Sequence, residues 1–317
     1  MRNFKQLFEE FASKNGRSQN GGLQLLSAST LLRIYYGFSR HSLPRLAFLV
    51  SCPQLEISST KAIKVSYLPE GDWTWLNFDL VEQAASAVYY SFCDDLVAAL
   101  ESSMVTRQED ALINIKNRFM SWRKMFLQER SGLSEEAVVG LLGELYFLDN
   151  FLIPHLGVIQ AIKAWSGIDG LNKDFSYDDK WYEVKAVSLN SNVVKINSLT
   201  QLSSETTGGL VVVRYETMSR SYEDDTCTVF KIFRKIMTTI VDDDVRADFI
   251  SKLITYGFDV IQESEGNRYR ISEMVFYKVN DGFPRIKESD IKYREVDKIT
   301  YCLILNALDN FKFDGRL

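Results

Sequence analysis

Two carboxylates and a lysine stand close together in one short stretch of the sequence, where Asp174 precedes Glu183 and Lys185. The residues around them predict a short strand, a polar turn at Asp178-Asp179 and a second strand. Side chains alternate between the two faces of a strand, so Glu183 and Lys185 share a face. An ammonium group there would offset part of the carboxylates' negative charge and could hold an attacking water or a phosphate oxygen.

The predicted turn also sets the register of this hairpin. A two-residue turn at Asp178-Asp179 pairs Tyr177 with Lys180. The same register then places Asp174 opposite Glu183, where facing Cβ atoms lie roughly 5 Å apart and like charges repel. A divalent cation would reverse that repulsion, because carboxylate oxygens on adjacent strands are good ligands for such an ion. The alternative is a surface hairpin with alternating charges, since this spacing also arises by chance.

A third acid, Glu144, lies upstream on a strongly apolar helix predicted over residues 137–148. Ser134 is the expected N-cap of this helix. A buried carboxylate is costly unless it has a partner or a metal, so Glu144 is a further candidate ligand. Gly140 and Gly143 would let the helix approach the sheet closely. The alternative is a glutamate at the edge of the core that reaches solvent or pairs with a lysine.

An Asp followed by Glu-x-Lys, with a helical Glu before it, resembles the PD-(D/E)xK phosphodiesterase superfamily, although Lys173 stands where a Pro is usual. The chain is similar in particular to the bacterial "PD-(D/E)XK motif protein" family, often encoded beside DNA methyltransferases and helicase-like genes in defence islands. The similar segments are Gly140-Leu-Leu-Gly-Glu-Leu, Trp165-Ser166-Gly167, Lys173-Asp174-Phe175, Glu183-Val184-Lys185 and Gln201-Leu202. They span approximately residues 130–220 of the chain.

This resemblance implies a metal-dependent DNA endonuclease of a restriction or phage-defence system. It implies Mg²⁺, or Mn²⁺ in its place, held by Asp174 and Glu183, with Glu144 as a direct or water-mediated ligand. The Val184 carbonyl would be a further ligand, and Lys185 would orient or help deprotonate the attacking water. A non-catalytic DNA- or partner-binding subunit of a multi-protein defence complex is the alternative. The implied partners are DNA and methyltransferase, ATPase or helicase-like proteins, and a homodimer is left open.

Five further residues are candidates for substrate binding. Gln201 lies where related nucleases often place a polar helix residue that faces the site, and Lys173 and Lys195 lie close to the hairpin in sequence. A long amphipathic helix predicted over residues 106–130 carries Arg123 and Lys124 on a locally basic surface that could contact a phosphate backbone. The alternative for that surface is a solvated outer face.

Composition narrows the classes of protein. The 317 residues carry a formal net charge of −5, which argues against binding nucleic acid by charge alone. The four cysteines are far apart and there are only two histidines, so zinc sites and disulfide frameworks are not expected. We expect no signal peptide and no apolar stretch of membrane-spanning length, and therefore a cytoplasmic protein.

The pattern of elements predicts an α/β (α+β) protein with two domains. Residues 1–105 are predicted to form a β-rich module that ends in a helix, and residues 106–317 a PD-(D/E)xK nuclease-like domain. That domain is expected to have a restriction-endonuclease-like core, with a mixed central sheet flanked by helices. Its predicted order is a helix, a three-stranded meander ending at residues 193–197, a helix opening at 198–204, and a buried strand at 209–217.

Overall fold

The computed structural model describes residues 3–15, 21–28, 31–51, 56–102, 105–126, 132–167, 173–219, 221–222, 225–264, 266–293, 295–296 and 298–317. The chain forms two compact units. The first contains Met1–Ser131, Val241–Ile250 and Asp259–Ser264, and the second contains Gly132–Ile240, Ser251–Phe258 and Glu265–Leu317.

The first unit contains an antiparallel five-stranded sheet with the strand order β1-β2-β3-β5-β4. Its strands are β1 (Gly22–Ala28), β2 (Arg33–Phe38), β3 (Pro44–Val50), β4 (Ile63–Glu70) and β5 (Trp73–Leu80). Its helices are α1 (Phe4–Asn15), α2 (Ser86–Ser102), α3 (Gln108–Phe126) and α9 (Val260–Ser264), and α8 (Asp243–Tyr256) has residues in both units. Helix α3 groups with this unit. The predicted division into a β-rich module at residues 1–105 and a nuclease-like domain at residues 106–317 stays a prediction.

One face of this sheet packs against helices through aromatic rings. The ring of Phe78 on β5 lies 5.6 Å from that of Phe92 on α2 and 5.2 Å from that of Phe119 on α3. Within the same core, the buried carboxylate of Asp95 accepts hydrogen bonds from Trp122 Nε1 at 2.9 Å and from the buried Arg246 guanidinium at 3.0 Å. The ion pair keeps a buried charge compensated.

The second unit is built on a mixed five-stranded sheet with the order β12-β10-β9-β7-β6. Its strands are β6 (Phe175–Tyr177), β7 (Lys180–Ser188), β9 (Gly208–Met218), β10 (Arg268–Val279) and β12 (Lys312–Phe313). Strands β7 and β9 are parallel, while the other pairs are antiparallel. Its helices include α4 (Glu135–Phe147), α5 (Ile153–Leu156), α6 (Val158–Ala164) and α7 (Val229–Thr239). The predicted α+β class with a mixed central sheet is therefore confirmed.

The predicted three-stranded meander was wrong in its third strand. Strand β8 (Val193–Ile196) forms where it was expected, but it pairs with β11 (Tyr301–Ile304) in a separate two-stranded sheet. The reason is that both edges of β7 are taken, one by β6 and the other by β9. Residues 198–204 also form only a single 3₁₀ turn, Leu199–Gln201, instead of the expected helix.

The expectation that no apolar stretch has membrane-spanning length was also wrong. Helix α4 continues through a π-helical turn (Leu148–Leu152) into α5, and the run Glu135–Leu156 is 22 residues long and apolar enough to qualify by length and composition. However, 67% of its most apolar window is buried inside the protein. Packing in a protein core accounts for this composition, and a cytoplasmic location stays a prediction.

Candidate active site

The hairpin that carries the candidate residues has the register predicted from the sequence. Tyr177 pairs with Lys180 across the turn, and Phe175 pairs with Tyr182. The turn residue Asp178 has φ +50°, a left-handed conformation that Asp adopts more readily than most residues. The register is confirmed, and by extension Asp174, directly before β6, is in line with Glu183.

Backbone contacts fix Asp174 in place. Its Oδ2 accepts a hydrogen bond of 2.7 Å from the Val184 backbone N–H. Its own carbonyl accepts hydrogen bonds from the backbone N–H groups of Ser166 and Gly167, at 2.9 and 3.0 Å. Burial raises the pKa of Asp174, against the opposing effects of Lys185 and the Val184 hydrogen bond. The carboxylate is therefore held by the strand that also carries Glu183.

Glu183 and Lys185 share one face of β7, as predicted. Lys185 Nζ lies 2.7 Å from Glu183 Oε1, and the Glu183 side chain is 1% exposed. Burial, with a smaller effect of Asp174, raises the pKa of Glu183 to about 8, although Lys185 opposes this change. Burial would lower the pKa of Lys185, but Glu183 and Asp174 outweigh it and raise that pKa above its usual value. Lys185 is therefore an ammonium ion at neutral pH.

Glu144 lies on α4 and is 7% exposed. Its Oε2 accepts a 2.7 Å hydrogen bond from Trp165 Nε1, and its Oε1 accepts one of 3.2 Å from the Tyr256 hydroxyl. Burial raises the pKa of Glu144 well above its usual value, and Asp174 raises it further. The neighbouring acid therefore contributes to the raised pKa of Glu144, but burial is the larger cause.

The glycines of α4 have different roles. A Cβ at Gly143 would lie 3.1 Å from the Ala186 Cβ, so this glycine allows α4 to pack closely against β7, as expected. A Cβ at Gly140 would instead meet the Tyr256 hydroxyl at 3.1 Å. Gly140 thus makes room for the tyrosine that contacts Glu144, and the prediction that it faces the sheet was wrong.

A cleft of about 660 Å³ brings most of the candidate residues together. The predicted residues that line it are Glu144, Asp174, Val184, Lys185 and Lys195. Lys195 is exposed on β8, and the remaining wall comes mainly from α4, β7 and β8. Carboxylates and cations therefore meet at one surface-accessible concavity of the second unit.

Two candidate substrate contacts, Lys173 and Gln201, are not among the described residues that line this cleft. Lys173 Nζ donates hydrogen bonds to the carbonyls of Thr200 and Gln201, both at 2.6 Å, and lies 3.9 Å from the centroid of the Trp181 ring. The Gln201 side-chain oxygen accepts a hydrogen bond of 2.7 Å from the Asn197 N–H. Both side chains therefore stabilise the 3₁₀ turn, and their predicted substrate roles stay predictions.

Arg123 and Lys124 lie on α3 in the first unit. Lys124 is exposed and Arg123 is half-buried, with its Nε lacking a hydrogen-bond partner among the described residues. Their predicted contact with a phosphate backbone stays a prediction.

Three residues of the site were not assigned a role from the sequence. Trp165 belongs to a motif that supports the family resemblance, but its hydrogen bond to Glu144 was not predicted. Tyr256 is 112 residues away from Glu144 in the chain, and no spacing pattern links the two. Lys252 is buried, and its Nζ donates hydrogen bonds to the carbonyls of Ile162 and Trp165, at 2.8 and 2.7 Å. It therefore holds the segment that carries Trp165.

The donor set fits a hard divalent cation in its chemistry. Glu144 and Asp174 both line the cleft, and Mg²⁺ prefers carboxylate oxygens as ligands. The raised pKa values of Glu144, Asp174 and Glu183 show that the fold compensates their negative charge only in part. Throughout the described part of the chain, however, no group of three or more His, Cys, Asp or Glu residues converges closely enough to hold an ion.

The mixed sheet, the helical Glu and the Asp/Glu-x-Lys hairpin together define a protein with a PD-(D/E)xK-like fold. A family model described as "Putative PD-(D/E)XK family member, (DUF4420)" matches residues 5–306. The match covers nearly the whole chain, which therefore belongs to this family, within a nuclease-like superfamily whose members typically use divalent metals. No match was found among curated proteins or among solved structures.

Proposed function

We propose that this protein is a metal-dependent DNA endonuclease that hydrolyses phosphodiester bonds, as a restriction-type or phage-defence component. The observation that carries this proposal is the convergence of Glu144, Asp174 and Lys185 on one cleft, with Glu183 held by Lys185. A fold built only for stability would gain nothing from placing Glu144, Asp174 and Glu183 where burial raises the pKa of each. Family membership supports the nuclease class, and DNA as the substrate and Mg²⁺ as the cofactor are part of the proposal.

Asp174, Glu183, Glu144 and the Val184 carbonyl would hold Mg²⁺, or Mn²⁺ in its place, which when bound supplies Lewis-acid chemistry to water and phosphate. Lys185 carries a positive charge at neutral pH because its pKa is raised by Glu183 and Asp174, although burial opposes them. It would therefore act by orienting the attacking water and by stabilising negative charge on the phosphate. A raised pKa favours this electrostatic role over proton abstraction.

Lys195 is the best-placed candidate for a contact with the DNA backbone. It is exposed and lines the same cleft as Asp174 and Lys185. A flexible ammonium there would contact a phosphate next to the scissile bond, and such contacts position DNA without reading its sequence. Sequence specificity would then come from other surfaces or from partners such as methyltransferase, ATPase or helicase-like proteins.

One observation favours the second candidate, a non-catalytic DNA- or partner-binding subunit. Lys185 forms an ion pair with Glu183 at 2.7 Å, and Glu144 accepts two hydrogen bonds. Among the described residues, no three His, Cys, Asp or Glu side chains lie close enough together to hold an ion. Such a site could keep the fold of a nuclease without the activity. Metal binding and cleavage must therefore be measured separately.

The test is a cleavage assay on methylated and unmethylated DNA with Mg²⁺ and with Mn²⁺, with and without the proteins encoded by neighbouring genes. Asp174→Asn removes the central charge but keeps an oxygen that can accept from the Val184 N–H. We expect it to abolish both cleavage and calorimetric Mg²⁺ binding.

Asp179→Asn is the matched control, because it makes the same substitution at the exposed tip of the same hairpin. It should cleave like the wild type. If wild type and Asp174→Asn cleave equally in the full set of partners, another protein is the nuclease. If wild type neither cleaves nor binds Mg²⁺ but still binds DNA or a partner protein, the binding-subunit function replaces the proposal.

A further inference from the structure

The first unit contains a second concave site, on the face of its sheet that carries polar residues. Cross-strand pairing aligns Ala47 of β3 with Asn77 of β5 and with Ser66 of β4. The next row aligns Arg45, Asp79 and Lys64. Ala47 and Ser66 are small, and a cavity of about 700 Å³ lies over this part of the sheet. Its volume is in the range of cavities that bind small molecules and cofactors.

Asn77 forms an unusual floor for this cavity. The residue is 1% exposed and lines the cavity, yet its Oδ1 has no hydrogen-bond partner among the described residues. Its Nδ2 makes only a long contact of 3.5 Å to Ser66 Oγ. Leaving a buried carbonyl oxygen without a donor is unfavourable. A ligand with a hydrogen-bond donor would recover this cost, and an apolar ligand would not.

The wall of the cavity supplies a fixed aromatic ring. Trp75 lines the cavity, and its ring centroid lies 4.9 Å from that of Tyr35 at an interplanar angle of 66°. The Trp75 indole N–H donates a hydrogen bond to Glu70, which also restrains the ring. Leu68 and Pro69 complete an apolar rim. A flat heterocycle could pack here, because every nucleic-acid base has a π-face that can stack on an aromatic side chain.

Some of the charged side chains around the cavity form ion pairs and others do not. Arg45 forms a bidentate pair with Asp79, at 2.6 and 2.7 Å, so these two charges neutralise each other. Arg40 and Lys64 also line the cavity, are exposed, and make no ion pair with any other residue that the structure describes. Glu70 also lines the cavity, and its carboxylate accepts from the neutral Trp75 indole, so the described lining holds three cations and two anions. The two exposed cations beside an aromatic wall are suited to a phosphate that a sugar links to a flat base.

We propose that this cavity binds a single nucleotide unit, with its base against Trp75 and a donor group of the base on Asn77 Oδ1. The phosphate would contact Arg40 and Lys64. The same chemistry is offered by a free mononucleotide and by an unpaired nucleotide of single-stranded DNA, whereas a base stacked inside a duplex cannot enter such a cavity. This site is distinct from the cleft of the second unit, and the proposal does not depend on cleavage.

The experiment is calorimetric titration of the full chain in EDTA, which keeps any metal-dependent cleavage off. The probes are the four deoxynucleoside monophosphates, inorganic phosphate, and single- and double-stranded oligodeoxynucleotides. We expect at least one mononucleotide or the single strand to bind about tenfold or more tightly than phosphate. Tighter binding of the monophosphate identifies a free nucleotide as the ligand, and tighter binding of the single strand identifies DNA.

The variants test the residues of the site. Lys64→Ala and Arg40→Ala, both at exposed positions, should each weaken binding by about tenfold, and Asn77→Leu should abolish it. Lys5→Ala, an exposed lysine on α1 that does not line the cavity, is the charge-matched control and should bind like the wild type. If Asn77→Leu fails to fold, the two surface variants still decide. The proposal is overturned if no nucleotide probe binds, if phosphate binds as tightly, or if both surface variants match the control.

Discussion

The indole N–H of Trp165 donates a hydrogen bond of 2.7 Å to Oε2 of Glu144, which lies 21 residues earlier in the chain. The Tyr256 hydroxyl binds the other oxygen of the same carboxylate. Both hydrogen bonds favour the ionised carboxylate and lower the pKa of Glu144, while burial, the larger effect, raises it. The position and charge of this acid therefore depend on two side chains from distant parts of the chain.

Removing the Tyr256 hydroxyl should weaken the site without unfolding the protein. In Tyr256→Phe, Glu144 loses one donor, so we expect its pKa to rise further and its affinity for Mg²⁺ to fall. The effect on the free energy of unfolding should be about 1 kcal/mol, the usual contribution of one hydrogen bond. Cleavage at limiting Mg²⁺ should fall by about tenfold, because metal affinity and proton binding compete at the same carboxylate.

Tyr182→Phe is the control for this variant. It also removes a single tyrosine hydroxyl from the second unit, but this hydroxyl donates to the Gly315 carbonyl at 2.7 Å. Tyr182→Phe should lose comparable stability while its Mg²⁺ dependence stays that of the wild type. Equal Mg²⁺ dependence in the two variants would show that the Tyr256 contact has no role at the site.

The stability of the metal-free protein should fall as the pH rises from about 5 to about 8. Burial raises the pKa of Glu183 to about 8, so the folded state holds a proton that the unfolded state releases near its ordinary, lower pKa. The stabilisation is complete at low pH and is lost as the pH passes through the folded-state pKa. One such group gives a slope of at most about 1.4 kcal/mol per pH unit.

This slope is measured by urea denaturation in EDTA at several pH values. Glu183→Gln should flatten it, with a residual slope from Asp174, Glu144 and Asp95, whose pKa values burial also raises. Since a cation favours the ionised acids, Mg²⁺ binding near pH 7 should release protons, which calorimetry in buffers of different ionisation enthalpy detects. Stability that rises with pH in EDTA would contradict the burial of an ionisable cluster.

Neutralising Asp174 should stabilise the metal-free protein. The pKa of Asp174 is raised, chiefly by burial, so its ionised form carries a free-energy cost in the folded state. We expect Asp174→Asn to raise Tm in EDTA by about 2 °C, which corresponds to about 1 kcal/mol for a domain of this size. The same variant should lose the rise in Tm that Mg²⁺ gives the wild type.

Asparagine is a better replacement than alanine for this test. Alanine would leave the Val184 N–H without the side-chain acceptor that it has at 2.7 Å, and this loss would mask the electrostatic gain. Asp179→Asn, at the exposed hairpin tip, should leave Tm unchanged with and without Mg²⁺. A lower Tm for Asp174→Asn in EDTA would show that Asp174 serves stability.

Lys185→Ala should separate catalysis from metal binding. We expect cleavage to fall by about 10²–10³-fold, as when a single electrostatic contact to the transition state is removed. Mg²⁺ binding should persist because Asp174 and Glu183 remain. The fold should also lose stability near pH 8, since the buried Glu183 carboxylate loses its partner at 2.7 Å.

Lys180→Ala is the matched control for this variant, because Lys180 lies on the same strand at the hairpin turn and contacts the Tyr177 ring. It should cleave and bind Mg²⁺ like the wild type. Wild-type cleavage by Lys185→Ala would remove this lysine from the proposed mechanism.

The hairpin register and the helix N-cap were predicted from rules that involve only neighbouring residues. The turn at Asp178-Asp179 and the two-residue period of a strand are enough to place Asp174 in line with Glu183 and to put Lys185 beside it. In the same way, the Ser134 side chain accepts from the Ala137 N–H, as expected for an N-cap. Turn chemistry, capping and alternation act over a few residues, so they can be predicted from the residues alone.

The tertiary structure decided what depends on competition between distant segments. Strand β8 is not part of the central sheet, because β9, which follows it in the chain, pairs with β7. Tyr256 reached Glu144 across 112 residues, and Lys252 reached the Trp165 carbonyl across 87. The sequence determined which acids stand in one hairpin, but only the fold determined their burial. Burial is the largest cause of the raised pKa values of Glu144 and Glu183, because desolvation depends on everything packed around a group.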